Sequence, residues 1–207
     1  MAFAVSADGC LAATRGYPTP ISSPASLELT HHLRAVHDAV LVGVGTVLAD
    51  DPLLTTRLAP GPSPRRVVLD SRLRTPETAR LLTSGGAPPL VLTTAAASPE
   101  RIAALTRAGA HVEVVGRCAS GVSLSDALRA LARRGVTTVM VEGGAAVLDS
   151  FFSDGLVDFA VQTVAPLTLG PGALQLGRST QQALSRWVPQ QFSLGPDSIA
   201  VGTWSRE

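Results

Sequence analysis

Three short stretches carry residue types and spacings that could do chemistry. In Leu41-Val-Gly-Val-Gly-Thr-Val-Leu-Ala-Asp-Asp-Pro52 an apolar strand runs into Gly43 and Gly45, Thr46 opens a short helical segment, and Asp50 and Asp51 close it. Glycines there let backbone N–H groups approach a phosphate, and a helix N-terminus favours negative charge. A carboxylate such as Asp51 can position a polar substrate or pass on a proton. In Val141-Glu-Gly-Gly144 a second strand runs into paired glycines ahead of a helix over Ala145–Ser153. Ligands of open α/β sheets sit at such carboxyl ends of strands. The third stretch, Leu69-Asp-Ser-Arg-Leu-Arg74, also ends a strand. Asp70 alone there would suit a ribose hydroxyl, whereas Ser71, Arg72 and Arg74 suit a phosphate carried on that ribose.

The glycine pattern by itself is weak, because the third glycine of a Gly-x-Gly-x-x-Gly fingerprint is replaced by Leu48. The serine and arginines beside Asp70 add the discriminating chemistry and favour NADPH over NADH.

Short β-rich runs at Ala2–Ser6, Ala39–Gly43, Arg66–Asp70, Leu90–Thr94, His111–Val115 and Thr137–Val141 must position these residues. Between them, Pro24–His37 reads as a helix with Ser23 as N-cap. Ser98-Pro99-Glu100 opens another that ends near Gly109, and Ser123–Arg134 is a third, stopped by Gly135. Near-continuous apolar strands alternating with helices predict a mostly parallel central sheet flanked by helices. The end of the chain differs: Phe159–Val164 reads as a strand, and Gln191–Leu194 with Ile199–Trp204 as a C-terminal antiparallel hairpin across Gly195-Pro-Asp197. Trp187, Phe192 and Trp204 read as core or interface of these strands.

The 207 residues suit one domain, and 45% hydrophobic with 16% charged residues describes a folded body. A net charge of +1 gives no electrostatic case for nucleic acid or an anionic membrane. All 17 basic side chains are arginine, so Schiff-base catalysis and a P-loop lysine are excluded. Cys10 and Cys118 are far apart, lack metal spacing and read as reduced thiols of a cytoplasmic protein. His31, His32 and His37 diverge around one helix, so the reading is solvent-facing or helix-terminal histidines and no metal site.

Ser6-Ala-Asp-Gly9, His32-Leu-Arg-Ala35, the run from Asp38 to Pro52, Leu54-Thr-Thr-Arg57, Val68-Leu-Asp-Ser71 and Glu142-Gly-Gly144 occur in this order. The series resembles the 5-amino-6-(5-phosphoribosylamino)uracil reductases of riboflavin synthesis, the reductase domain of the bifunctional deaminase/reductase family. The resemblance covers Ser6 to about Gly170 and implies a dihydrofolate-reductase-like fold, an NADPH cofactor and a homodimer. It also implies hydride transfer to C1 of the open-chain ribosylamino group, giving the ribityl amine. Residue by residue, Gly43, Gly45, Thr46, Gly143 and Gly144 would hold the cofactor's pyrophosphate and nicotinamide end, and Ser71 and Arg72 its 2′-phosphate. Arg34 and Arg57 would take the substrate phosphate, with Leu54 and Ser22 also at the substrate. Asp51 and Glu142 would be the catalytic carboxylates.

The chain departs from the family pattern at Ala2, where a lysine is usual, and in Gly16-Tyr-Pro-Thr-Pro-Ile21, where serine and tryptophan are replaced by Pro18 and Pro20. No deaminase signature (His-x-Glu with Pro-Cys-x-x-Cys) occurs, so residues 1–207 read as one reductase domain. Two alternatives follow from the departures: a related reductase of specialised metabolism acting on another pyrimidine or imine, or a non-catalytic NADPH-binding relative.

Overall fold

A computed structural model of the protein describes residues 1–204. The chain begins with β1 (Ala2–Ser6), β2 (Cys10–Ala12), α1 (Pro24–Val36), β3 (Ala39–Gly43), α2 (Val44–Asp50), β4 (Arg65–Leu69) and α3 (Arg80–Thr83). It continues with β5 (Leu90–Thr93), α4 (Pro99–Arg107), β6 (His111–Val114), β7 (Arg117–Cys118), β8 (Gly121–Val122), α5 (Leu124–Ala132) and β9 (Val139–Gly143). Then follow α6 (Ala145–Ser153), β10 (Phe159–Ala165), β11 (Leu174–Gln175), α7 (Arg178–Arg186), β12 (Gln190–Leu194) and β13 (Asp197–Thr203).

Five parallel strands form the central sheet in the order β6-β5-β4-β3-β9. The inner strands are apolar on both sides because both faces are covered. Leu41, Val67, Leu90 and Leu92 meet Leu131 and Phe151 on one face, while Val40, Val42, Val68 and Val91 meet Leu81 and Leu105 on the other. β1 pairs in parallel with β10, which continues antiparallel through β13 to the edge strand β12. The sequence expectation of a mostly parallel sheet with a C-terminal antiparallel hairpin is met. Trp204 stacks edge-on against Phe152 and lies 5.6 Å from Trp187, while Phe192 is 47% exposed on β12.

Most expected boundaries move by a residue or two, and two of the shifts have identifiable reasons. The strand read at Thr137–Val141 starts at Val139, because Thr137 N, Thr137 Oγ1 and Thr138 N all donate to Asp38 Oδ2. It runs on through Glu142, which the sequence reading left in the turn. The helix expected to open at Thr46 begins at Val44, with Gly43 as its cap. Sequence periodicity gave no sign of β2–β11, β7–β8, α3 or α7; these elements are short, or polar on most sides.

Candidate active site

The carboxyl ends of β5, β4, β3 and β9 lie along one edge of the central sheet, spanning three strand spacings or about 14 Å. Connections leave β3 toward β4 on one side and arrive at β9 on the other, the crevice geometry in which open α/β sheets bind ligands. Two glycine turns meet there. A Cβ on Gly43 would fall 2.7 Å from Val147 Cγ2 of α6, so Gly43 serves the packing of the two turns. Gly143 and Gly144 sit at φ 106° and 70°, and a Cβ on Gly144 would touch Thr46 Oγ1 at 3.0 Å. Gly45, in contrast, is exposed with nothing close to its face.

The β3–β9 ladder has a register break: Leu41 faces Val141 but Val42 faces Gly143. Glu142 is the extra residue of this bulge. A bulge re-aims a side chain, and this one leaves the Glu142 carboxylate opposite α1. There Arg34 Nε donates to Oε1 and Nη2 to Oε2, both at 2.6 Å, while Nη1 donates to the Thr55 carbonyl at 3.0 Å. The guanidinium fork fits two carboxylate oxygens in this way, and both side chains are nearly buried.

Around this pair the charge is positive. Arg57 is exposed, and among the described residues its guanidinium donates only to Thr55, through Nη1 to the carbonyl and to Oγ1. Partial burial, then the guanidinia of Arg34 and Arg80, lower its pKa, while Glu142 acts in the opposite sense. Asp51, in the left-handed region at φ 40°, accepts from the Arg80 N–H through Oδ1 at 2.8 Å and so starts α3. Asp50 is exposed.

His31 corrects an expectation. It is 4% exposed rather than solvent-facing, and its Nδ1 accepts from the Arg57 N–H at 2.8 Å. Helical spacing puts residues 31 and 34 on one face, which was the available signal. His32 is exposed, and the His37 ring lies 2.6 Å from the Leu33 carbonyl. Burial, then Arg34 and Arg57, push the His31 pKa down from 6.5 to about 4. The unfolded chain therefore binds more protons between these values, and stability contributed by neutral His31 is full above pH 6.5 and lost as pH falls toward 4. Urea midpoints should drop through that window in the wild type and drop less in His31→Asn, whose Oδ1 can still accept; equal slopes would remove His31 from the account.

A cavity of about 280 Å³ opens at the ends of β4 and β5, lined by Ser71, Arg72, Arg74, Thr94, Arg117 and Ser120 among others. Asp70 is not part of its surface. It is fully buried, and its Oδ2 accepts from the Thr75 N–H and hydroxyl, closing the turn that displays residues 71–74. Buried Leu73 anchors that turn from the left-handed region at φ 53°.

The profile of the RibD C-terminal domain family matches residues 1–191. The chain belongs to the RibD C-terminal domain family. This RibD C-terminal domain is 40% identical to the 2,5-diamino-6-ribosylamino-4(3H)-pyrimidinone 5′-phosphate reductase of Methanothermobacter thermautotrophicus, over 81% of the chain and 76% of that protein. It is 35% identical to the riboflavin biosynthesis protein RibD of Aquifex aeolicus, over 93% of the chain and 53% of that protein, so it spans about half of that relative's length. The structure of Acinetobacter baumannii RibD superimposes with a TM-score of 0.80 at 24% identity, over 99% of the chain and 58% of the other. The RibD reductase fold is dihydrofolate-reductase-like, as the resemblance implied.

Within this RibD domain the structure joins Arg34, Arg57 and Glu142 in one cluster, with Asp51 linked to it through Arg80. Thr46 and Gly144 meet in the crevice, and Ser71 and Arg72 share the cavity. It does not bring every expected residue to a free surface. Leu54 is 1% exposed and held in the left-handed region at φ 55°, so its side chain belongs to the core and only its backbone faces the loop. Ser22 is half-buried in the segment entering α1. Arg80, Arg117 and Ser120 are additions for which the sequence gave no pattern.

Proposed function

We propose that this chain is the NADPH-dependent pyrimidine reductase of riboflavin synthesis, acting on 5-amino-6-(5-phosphoribosylamino)uracil. The observation that carries the reading is the run of one sheet edge from an arginine-lined cavity at β4–β5 to the Arg34–Glu142–Arg57 cluster beside β9. That length suits a dinucleotide laid across the strand ends, with a phosphorylated sugar derivative beyond it. The printed activity of the Methanothermobacter relative supports the same reaction class.

The cavity fits the cofactor's phosphorylated ribose: it offers guanidinia and hydroxyls, no carboxylate lines it, and buried Asp70 beside it accepts from Thr75 through Oδ2. Ser71 and Arg72 hold the 2′-phosphate in this reading. Gly43, Gly45, Thr46, Gly143 and Gly144 flank the pyrophosphate and nicotinamide. NADPH, when bound, supplies the hydride that C1 of the open imine accepts. The residues of the chain do the rest. Arg57 takes the substrate phosphate, and Arg34 adds its charge from behind while holding Glu142. Glu142 forms the floor of the cleft against the pyrimidine side. Asp51 orients the ribosyl hydroxyls and relays a proton, directly or through water, to the nitrogen that becomes the amine.

No helix among the described residues is long and apolar enough to cross a membrane, and we infer a cytoplasmic location. We also infer a homodimer through the exposed edge at β12, where Val188 is 93% and Phe192 47% exposed; light scattering at the single-chain mass would reject it.

The deciding assay follows NADPH oxidation with the deaminated phosphoribosylamino-uracil, with NADH and the undeaminated 2,5-diamino precursor in parallel. Turnover with NADPH is the expected result, and Arg72→Ala should weaken NADPH about tenfold while leaving NADH nearly unchanged. Cofactor binding without turnover on either pyrimidine would reject this substrate. It would favour another imine admitted by the loop at 16–21, where Pro18 and Pro20 flank Thr19 and Tyr17 is 69% exposed.

A further inference from the structure

The hairpin β7–β8 has no role in the reading so far, yet it forms one wall of the arginine-lined cavity. Its base is stitched to the sheet. Val115 N donates to the Thr93 carbonyl at 2.8 Å, Ser123 N to the Gly116 carbonyl at 2.9 Å, and Cys118 Sγ to the Val122 carbonyl at 3.5 Å. A Cβ on Gly116 would fall 1.9 Å from the Asp126 carboxylate of α5, so the hairpin leaves the body at a fixed, tightly packed point. At its far end Gly121, with φ 130°, brings the returning strand against Ser71; a Cβ there would lie 3.6 Å from Ser71 Oγ. Thr94 Oγ1 donates to the Ser71 carbonyl at 2.9 Å and fixes the opposite wall.

This frame brings Arg117 and Ser120 to the same cavity as Arg72 and Arg74. Among the described residues none of these three arginines forms an ion pair, and no carboxylate lines the space. Three guanidinia without an ion pair, lining one cavity with the hydroxyls of Ser71 and Ser120, match a group carrying nearly two negative charges on three acceptor oxygens, a phosphate monoester. Ala96 and Ala119 supply the apolar surface on which a nucleobase can lie.

We propose that Arg117 and Ser120 complete the site for the ribose 2′-phosphate, so that the β7–β8 hairpin sets the preference for NADPH over NADH. The inference rests on the NADPH reading above but assigns a wall of the site that no sequence motif marks. Arg117 is a binding residue of the cofactor's distal end and touches no reacting atom.

The chain contains its own reporter. Of its two thiols, Cys10 is buried at 2% exposure and Cys118 is exposed beside Arg117, with Sγ 3.1 Å from Ser120 Oγ. Alkylation by iodoacetamide therefore reads the hairpin without any turnover. With the full chain, 2′,5′-ADP is expected to slow Cys118 alkylation, while 5′-AMP at the same concentration leaves it nearly unchanged. By calorimetry, Arg117→Ala should weaken 2′,5′-ADP about tenfold and abolish the protection, with 5′-AMP affinity unaltered. Ser120→Ala should move the same readouts in the same direction by a smaller factor. Should Arg72→Ala weaken 2′,5′-ADP while Arg117→Ala does not, the hairpin assignment fails and the NADPH reading stands. Should the wild type bind 2′,5′-ADP no better than 5′-AMP, both fail together.

Discussion

Asp51→Asn is expected to lower kcat by about 10²–10⁴-fold, the range of a lost acid–base group, with NADPH affinity nearly unchanged. The substitution is chosen to leave the local structure alone. Asp51 sits at φ 40° and ψ 57°, a conformation that asparagine adopts as readily as aspartate. The asparagine carbonyl can keep the 2.8 Å bond from the Arg80 N–H that starts α3. What disappears is the negative charge, and with it, in the proposed reading, the group that relays a proton and orders the ribosyl hydroxyls. Asp50→Asn makes the control, because among the described residues the Asp50 carboxyl makes no hydrogen bond or ion pair, although burial raises its pKa. Its effect on kcat should be small. Parallel steady-state kinetics and cofactor titrations separate the outcomes: equal losses of turnover and NADPH binding in Asp51→Asn would make this residue a fold or cofactor determinant.

How much of this site was legible beforehand follows from which interactions are local. Glycines at strand ends announced the crevice, because Gly143 and Gly144 need a positive φ that the sequence can signal. The Asp-Ser-Arg turn marked the cavity at β4–β5 for a similar reason: residue type and strand end lie within six residues of each other. Glu142 was seen, but its place was not. A bulge is a property of the β3–β9 register, and no pattern within either strand reveals it. His31 was misassigned because its face of α1 is covered by the loop at 55–57, which is distant in sequence. Leu54 and Leu73 go against propensity outright. A leucine in the left-handed region is disfavoured, and both are retained there because burial at 1% exposure over-determines the two loops that reach the site. Arg117 was invisible for the opposite reason: two-residue strands have no periodicity to read.

Those long-range contacts make the Arg34–Glu142 pair a sensitive point of the fold. Arg34→Ala is expected to destabilise the domain by about 3–5 kcal/mol, the cost of stranding a buried carboxylate. The two side chains are only 11% and 13% exposed, so water replaces the lost fork incompletely. The Thr55 carbonyl also loses one of its two donors, keeping only Arg57 Nη1, which loosens the loop carrying Arg57. A double variant, Arg34→Met with Glu142→Leu, removes both charges and fills much of the volume. Apolar replacement of a whole buried pair is often neutral, so urea unfolding should return most of the lost stability. In the proposed reading activity should not return with it, because neither the charge assigned behind the substrate phosphate nor the carboxylate assigned to the cleft floor is restored. That divergence between stability and turnover is what distinguishes a working pair from a structural strut. If the double variant regained both, the pair would be a brace alone, and catalysis would rest on Asp51 and Arg57.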